Sequence, residues 1–267
     1  RMKSAKKLAA QGEEFRAIID KHLPHPSPMI KISPDHTLIG HEVMWGGIWR
    51  EPGLDTQLRS VATITAQCVN GHDFGLKHQI RVGLTLGLSA QKIKAMFVEL
   101  KFYAGVPASV FALLMAQQVI DERDEWKAQD KPLDIPWLDS LEEKMRRGRE
   151  LRSKHWGARA DDDLVEQLTH EMVPGAAEIV DSYLYGEIWH RSPLTPKERM
   201  VMILSVLMCR QHFKQLKRQI GYALDAGLTQ HEICEAFAQC GWYRGWPHVE
   251  DALEVAKEVF SARAGIK

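Results

Sequence analysis

The sequence of 267 residues contains no run of about 18 apolar residues, so we expect no transmembrane helix. It also lacks an excess of one charge, because 35 Lys and Arg side chains balance 35 Asp and Glu side chains. A chain without a positive field has no general attraction for nucleic acid or anionic lipid. The first residues, RMKSAKKLAAQGEEF, lack the apolar core of a signal peptide. We therefore expect a cytoplasmic protein that binds neither membranes nor nucleic acid.

Cysteine is scarce, and its spacing is uninformative. The four cysteines, Cys68, Cys209, Cys234 and Cys240, form no C-x-x-C pair and are too few for a disulfide framework. We expect them to be reduced and buried as small apolar residues. The 12 histidines lack the spacing with carboxylates that a metal site requires, so we expect no metal.

Several cofactor and catalytic loops are missing. The chain has no G-x-x-x-x-G-K-[ST] or G-x-G-x-x-G loop and no G-x-S-x-G elbow, so nothing indicates a nucleotide cofactor or an α/β-hydrolase. No convincing alternating strand occurs either. Helical periodicity dominates instead, with a break at Asn70-Gly71 and helix starts at Ser89 and Thr229. We expect an all-α fold.

The most informative feature is an internal repeat. Residues 46–113 align with residues 186–253 at a constant offset of 140, without a gap. Repeated apolar residues indicate only a shared core, but repeated polar residues require a reason, because burying them without partners is costly. The repeated polar and aromatic pairs that we consider further are Trp49/Trp189, Arg59/Arg199, His72/His212, Gln79/Gln219 and Tyr103/Tyr243.

The repeat predicts a duplicated domain, with one helical bundle in each half. We assign residues 1–120 to the first repeat, 121–138 to a linker and 139–267 to the second repeat. The linker begins with the segment Asp121–Pro136, which is rich in charge and proline and is typical of a surface connection.

The ends of the repeats carry further expectations. The amphipathic segment Ser4–His22 is expected to correspond to a mixed-charge helix at 139–156. The acidic run at 161–163 should cap a helix that ends near residue 171, and the Pro-rich region 23–36 should be a loop. Each Tyr-x-Gly-x-Pro segment should make a turn before a last helix, at about 107–123 and 247–263.

In each half, a histidine and a glutamine lie seven residues apart, which is two helical turns. His72 with Gln79, and His212 with Gln219, are therefore expected to share one helix face. Histidine is the side chain best suited to move protons near neutral pH, so the pair could line a catalytic pocket. Alternatively, these residues cap helices or link the two halves.

The other repeated residues could likewise have either a functional or a structural role. Arg59 and Arg199 could bind a carboxylate in a bidentate manner, or they could form ion pairs that lock helices together. Tyr103 and Tyr243 could donate a hydrogen bond to an oxyanion or anchor the following turn. Trp49 and Trp189 could line a site or fill the core. The sequence leaves these alternatives open.

The segments WGGIWREPGLDTQLRS and FYAGVPASVFAL, with their second copies YGEIWHRSPLTPKERMVMI and WYRGWPHVEDAL, resemble the carboxymuconolactone decarboxylase family. The resemblance implies a cofactor-free, all-α bundle of the alkylhydroperoxidase D-like type. It also implies assembly into rings, so the fused chain is expected to form a homotrimer. The C-x-x-C-x-x-x-H motif of peroxidase relatives is replaced here by His72, Gly75 and Gln79, and by His212, Gln215 and Gln219.

Resemblance and residues together predict a cofactor-free decarboxylase for a small carboxylated lactone or a related aromatic-degradation intermediate. His72 or His212 would donate the proton, and Arg59 or Arg199 would orient the carboxylate. Gln79, Gln219, Tyr103 and Tyr243 would donate hydrogen bonds, beside Trp49 and Trp189. The alternatives are another isomerase or lactone hydrolase on this fold, a thiol peroxidase, which the missing dithiol disfavours, or a non-catalytic assembly protein.

Overall fold

The computed structural model describes residues 4–22, 29–132, 134–156 and 164–265, and these residues form helices and connecting turns without a β-strand. The fold is all-α, as the sequence predicts. The helices are α1 (Ala5–Ile19), α2 (Met29–Ile32), α3 (Pro34–Ile39), α4 (Thr56–Asn70), α5 (Asp73–Thr85), α6 (Ala90–Ala104), α7 (Val106–Ile120), α8 (Asp124–Lys127), α9 (Leu141–Trp156), α10 (Leu164–Met172), α11 (Pro174–Tyr183), α12 (Trp189–Arg191), α13 (Pro196–Cys209), α14 (Phe213–Asp225), α15 (Gln230–Arg244) and α16 (Pro247–Ala264). Short 3-10 turns cover Asp20–His22 and Ile48–Arg50, and π-helical turns cover Gly40–Trp45 and Leu184–Ile188.

The two halves are tandem helical repeats that pack on each other in a reciprocal manner. Helices α4 to α7 correspond in order to α13 to α16. Helix α4 packs against its counterpart α13, while α4 contacts α15 and α13 contacts α6. This exchange is what a twofold relation between repeats produces. One buried apolar cluster includes side chains of both halves, for example Ile64 and Leu204.

The sequence signals for helix ends are confirmed. Gly71, with φ 73°, ends α4 in the left-handed conformation that glycine adopts without strain. The Ser89 side chain caps α6, and Thr229 forms a capping box with Glu232 at the start of α15. Gly105 also has a positive φ, 90°, in the turn before α7. These signals are local in the chain, so they can be read without the tertiary structure.

The expectation of a loop at 23–36 is wrong for the residues described. Residues 29–36 belong to α2 and to the first turn of α3. Ser33 caps α3, and Pro34 fits its first turn, where a backbone N–H has no helical partner. The segment assigned to the linker is mostly exposed and carries the one-turn helix α8, whose Trp126 is only 2% exposed and meets the His22 ring edge-on at 5.4 Å. The acidic cap at 161–163 lies outside the described residues.

Helices α1 and α9 are equivalent, as expected, because each packs against a glycine that lies in or directly after the π-helical turn of its own half. A Cβ added to Gly46 would lie 1.8 Å from the Leu8 carbonyl oxygen, and one added to Gly186 would lie 1.9 Å from the Lys144 carbonyl oxygen. Since backbone atoms cannot move aside cheaply, only glycine allows this approach. Within the described part of the chain, no helix has the length and apolar character needed to cross a bilayer.

Gly186→Ala is therefore expected to lower the free energy of unfolding by at least about 2 kcal/mol, because the new methyl group forces α9 away from the turn. Urea denaturation measures the change. The matched control is Gly40→Ala, since a Cβ at Gly40 meets no atom within 4 Å and should leave stability equal or slightly higher. Equal midpoints for the two variants would contradict the close approach.

Candidate functional site

The structure separates the repeated histidines from the repeated glutamines. His72 and His212 are the N-cap residues of α5 and α14, their side chains are exposed, and neither makes a capping hydrogen bond. Gln79 is only 4% exposed. The expectation of a continuous His and Gln stripe on one buried face is therefore corrected, because a cap residue with non-helical backbone directs its side chain outside the packed face. A role of either histidine in proton transfer stays a prediction.

Three other predicted site residues do come together, and they come from both halves. We call Trp49, Gln79 and Tyr243 the first cluster. The Trp49 indole Nε1–H donates to the Tyr243 hydroxyl at 2.9 Å, and the Gln79 Nε2 donates to the same oxygen at 3.4 Å. The Gln79 Oε1 atom is buried and has no hydrogen-bond partner among the described residues. The cluster therefore contains one buried acceptor that no described residue donates to.

The tyrosine of the first cluster is held in its neutral form. Burial raises the pKa of Tyr243 above its ordinary value, and the hydrogen bonds from Trp49, Thr63 and Gln79 oppose this only in part. A phenol that stays protonated can donate a hydrogen bond at any physiological pH. The Tyr243 hydroxyl donates a hydrogen bond to the Met44 sulfur at 3.6 Å.

His78 borders this cluster and is also neutral near pH 7. Burial, followed by the charges of Arg16 and Arg81, lowers the pKa of His78 to about 4. Its ring lies 6.3 Å from the Trp45 ring, centre to centre. The imidazole therefore contributes a dipole here rather than a positive charge.

The lowered pKa of His78 has a consequence for stability. Between the ordinary pKa of 6.5 and the folded value of about 4, the unfolded chain binds more protons than the folded chain. We therefore expect the protonation of His78 to lower the free energy of unfolding by about 2 kcal/mol as the pH falls from 6.5 to 4. The stability of His78→Gln should depend less steeply on pH in urea denaturation. His212→Gln, which changes an exposed histidine, is the control, and equal slopes for both variants and the parent would contradict the assignment.

The counterparts of the first cluster are Trp189, Gln219 and Tyr103, and we call them, with Tyr185 and Arg152, the second cluster. Tyr185 occupies the position of Trp45, and its ring meets that of Trp189 at 5.1 Å in an edge-on arrangement. The Arg152 guanidinium lies 5.0 Å from the centre of the Tyr185 ring. The Gln219 Oε1 atom is buried without a hydrogen-bond partner among the described residues, as in Gln79.

The second cluster differs from the first in its tyrosine. Burial raises the pKa of Tyr103, with Tyr185 and Glu99 adding to the effect, and no hydrogen bond contributes. The Tyr103 hydroxyl is thus neutral, and no described residue holds it as Trp49 holds Tyr243. Arg218 of α14 replaces His78, and α14 packs against α9, which carries Arg152. Two arginines therefore stand at each cluster, because Arg16, 5.8 Å from the Trp45 ring, and Arg81 act on His78 in the first.

The repeated arginines are interhelical ties, and this corrects the expectation that they are open carboxylate receptors. Arg59 is fully buried and donates to Glu235 at 2.6 Å and to Gln239 at 3.1 Å. Arg199 donates to both oxygens of Glu99, at 2.9 and 3.2 Å. Both guanidinium groups face acceptors of the opposite half, so the ion-pair alternative describes them.

His190 is a candidate that the repeat did not reveal. Its Nε2 atom is buried without a hydrogen-bond partner among the described residues, and burial, followed by the charge of Arg147, lowers its pKa. The residue at the equivalent position is Arg50. A search for repeated residues therefore misses His190, as it misses Arg218 and Tyr185. Only the differences between the halves point to these three.

The thiols are unsuited to redox chemistry in this state. Burial raises the pKa of Cys68 to about 12, and a hydrogen bond with Cys240 together with burial raises that of Cys209. Because the thiolate is the reactive form, these groups are almost fully protonated near pH 7. Among the described residues, no group of three or more metal-ligating side chains is close enough to hold a metal ion.

The fold and the clusters define a duplicated all-α protein with two candidate small-molecule sites, each formed by residues of both repeats. The carboxymuconolactone decarboxylase family matches the sequence twice, over residues 41–118 and 174–258. The chain belongs to this family.

Three relatives are similar over part of the chain. A 4-carboxymuconolactone decarboxylase of Acinetobacter baylyi is 32% identical over 78 residues, which are 29% of this chain and 58% of that protein. An uncharacterised 15.0 kDa protein of Paracoccus denitrificans is 26% identical over 110 residues, 40% of this chain and 76% of that protein. A nitrosuccinic acid decarboxylase of Metarhizium robertsii is 24% identical over 114 residues, 43% of this chain and 79% of that protein. The match thus spans little more than half of the Acinetobacter protein.

Proposed function

We propose that the protein is a cofactor-free decarboxylase of a small carboxylated substrate, a lactone or a related ring-cleavage product, and that the second cluster is its active site. The observation that carries the proposal is a neutral tyrosine, Tyr103, whose hydroxyl no described residue holds, together with the buried Gln219 Oε1 atom that has no partner among the described residues. Two relatives bear the names of decarboxylases, which supports the reaction class.

The second cluster suits the charges that decarboxylation moves. The bond between the carboxylate carbon and its neighbouring carbon breaks, CO₂ leaves, and the electron pair passes into a conjugated carbonyl to give an enolate. Arg152 and Arg218 attract the substrate carboxylate. Tyr103 donates a hydrogen bond to the enolate oxygen, and one such donor typically contributes about 3–4 kcal/mol to the transition state.

The last step adds a proton to carbon, and two histidines compete for this role. His212 is the donor that the sequence predicts. His190 is the second candidate, because a bound anion would favour its imidazolium form and so offset the burial that lowers its pKa. A placed acid of this kind contributes about 10²–10⁴-fold in rate. Arg59 and Arg199 have no direct part in this scheme and instead hold the helices.

The same groups would also serve an isomerase or a lactone hydrolase, since each reaction passes through an oxyanion. A non-catalytic role for the bundle predicts no turnover at all. Assembly of the fused chain into a homotrimer stays a prediction.

The test is incubation of the purified full-length protein with a panel of carboxylated lactones and ring-cleavage acids, followed by mass spectrometry. We expect loss of CO₂ from at least one compound, and at least tenfold slower loss with Gln219→Leu. Gln79→Leu is the matched control in the first cluster and should retain most of the turnover. Rearranged or hydrolysed products of unchanged carbon number would support the alternatives, and no conversion across the panel would contradict an enzyme for this class.

A further inference from the structure

A cavity of about 380 Å³ lies where the connection between the two halves passes α6. Ala95 and Val98 of α6, Ile188 and the indole of Trp137 give it apolar walls. Ligand sites of proteins usually measure about 300–1,000 Å³, so this cavity has room for one small ring system. None of its lining residues belongs to the first or the second cluster.

Charged groups surround these apolar walls, and cations are in excess. Lys94, Lys131 and Arg191 line the cavity, against one carboxylate, Asp130. The Lys94 ammonium lies 2.5 Å from Asp130, and Arg191 lies 3.8 Å from Glu187. Glu187 is shared, because the Lys144 ammonium also lies 3.9 Å from it. Exposed Lys131 has no carboxylate partner among the described residues, so positive charge remains for a ligand.

The aromatic wall is itself held in position. The Arg191 guanidinium lies 4.4 Å from the centre of the Trp137 ring, a cation–π contact, and it donates to the Ile135 carbonyl. The indole is 53% exposed, which is unusual for so large an apolar surface and leaves it able to stack on a ligand ring.

The other half is more tightly packed at the equivalent place. There Gly53 approaches α15 so closely that an added Cβ would lie 2.2 Å from the His231 Nε2 atom and 2.7 Å from the Glu235 Cγ atom. The loop of the first half therefore lies directly against α15 there. Trp137 and Asp130 come from the connection between the repeats, which occurs once in the chain, so the cavity arises from the fusion of the repeats.

We propose that this cavity binds a small aromatic or alicyclic monocarboxylate, as a site separate from the decarboxylase clusters. The ring of the ligand lies against Trp137, Ala95 and Val98, and its carboxylate faces Lys131. The negative charge of the ligand matches Lys131, a lining cation without a carboxylate partner among the described residues, and the apolar walls favour a ring over a chain of polar groups.

The experiment is isothermal titration of the full-length protein with 1-naphthoate, and with 1-naphthamide as the uncharged analogue. We expect the carboxylate to bind with a dissociation constant below about 1 mM and the amide to bind at least tenfold more weakly. No binding of naphthoate at millimolar concentration would overturn the proposal. Equal binding of the amide would also overturn it, because the charge would then play no part.

Two variants locate the binding. Ala95→Phe fills the cavity and should abolish binding, provided that its thermal unfolding matches the parent. Lys131→Glu changes an exposed side chain that the fold does not need and should weaken binding at least fivefold. Gln219→Leu, in the second cluster, should leave binding unchanged whether or not the decarboxylase proposal holds. Undiminished binding in both Ala95→Phe and Lys131→Glu, or its loss in Gln219→Leu, would assign the ligand to another place and refute the proposal.

Discussion

Arg199→Met is expected to lower the free energy of unfolding by about 3–5 kcal/mol, because it leaves the Glu99 carboxylate buried without its counter-charge. Glu99 has no exposed surface, and Arg199 binds both of its oxygens. Urea denaturation of the variant and the parent, at neutral pH, measures the loss.

A double-mutant cycle separates the ion pair from simple packing. Arg199→Met combined with Glu99→Met removes both charges and should recover most of the lost stability, since well-packed apolar residues often replace a buried pair at little cost. If the double variant is as unstable as Arg199→Met or less stable, the stranded charge is not the cause.

Arg59, the equivalent arginine of the first repeat, should lose less stability on the same substitution than Arg199. Arg59→Met leaves Gln239 with its second hydrogen bond, to the Thr63 hydroxyl at 3.0 Å, and leaves Glu235 with a side chain that is 19% exposed. The groups left behind are an amide and a partly hydrated carboxylate, so the loss should be smaller, about 1–3 kcal/mol. A larger loss for Arg59→Met than for Arg199→Met would contradict this ranking.

These arginines also show where sequence reasoning reached its limit. The repeat correctly indicated that Arg59 and Arg199 have a reason to be polar, but their partners lie on helices 100 to 180 positions away. Helix starts at Ser89 and Thr229 could be predicted, because a cap and the N–H that it accepts from are neighbours in the chain. A partner on a distant helix leaves no such spacing to recognise.

The candidate site, like the helices, could be predicted from the sequence only in part. The repeat identified Gln79, Tyr243 and Trp49, and the structure brings these three together across the two halves. It could not show that His72 is an exposed cap, because a position seven residues before Gln79 fits a helix face equally well. Arg218 is found from the sequence only by comparing the positions at which the repeats differ, since its counterpart is His78.

Tyr103→Phe is expected to slow decarboxylation by about 10²–10³-fold, which is the usual effect of removing one hydrogen-bond donor to an oxyanion. The reason lies in the difference between the clusters, since the neutral Tyr103 hydroxyl is not held by any described residue. The fold should be unaffected, because the ring that packs against the core is kept. Turnover of the substrate found in the panel measures the effect as kcat, with KM determined separately.

Tyr243→Phe is the matched variant, and the opposite pattern is expected from it. Removing that hydroxyl takes the acceptor from the Trp49 indole and the Gln79 amide, so unfolding should become easier by about 1–3 kcal/mol. Turnover per folded molecule should change less than threefold. The two tyrosines are counterparts on equivalent helices, so this exchange of effects between rate and stability distinguishes a catalytic hydroxyl from a structural one. Equal losses of kcat in both variants would show that both clusters take part, and an unchanged kcat in Tyr103→Phe would remove the second cluster as the active site.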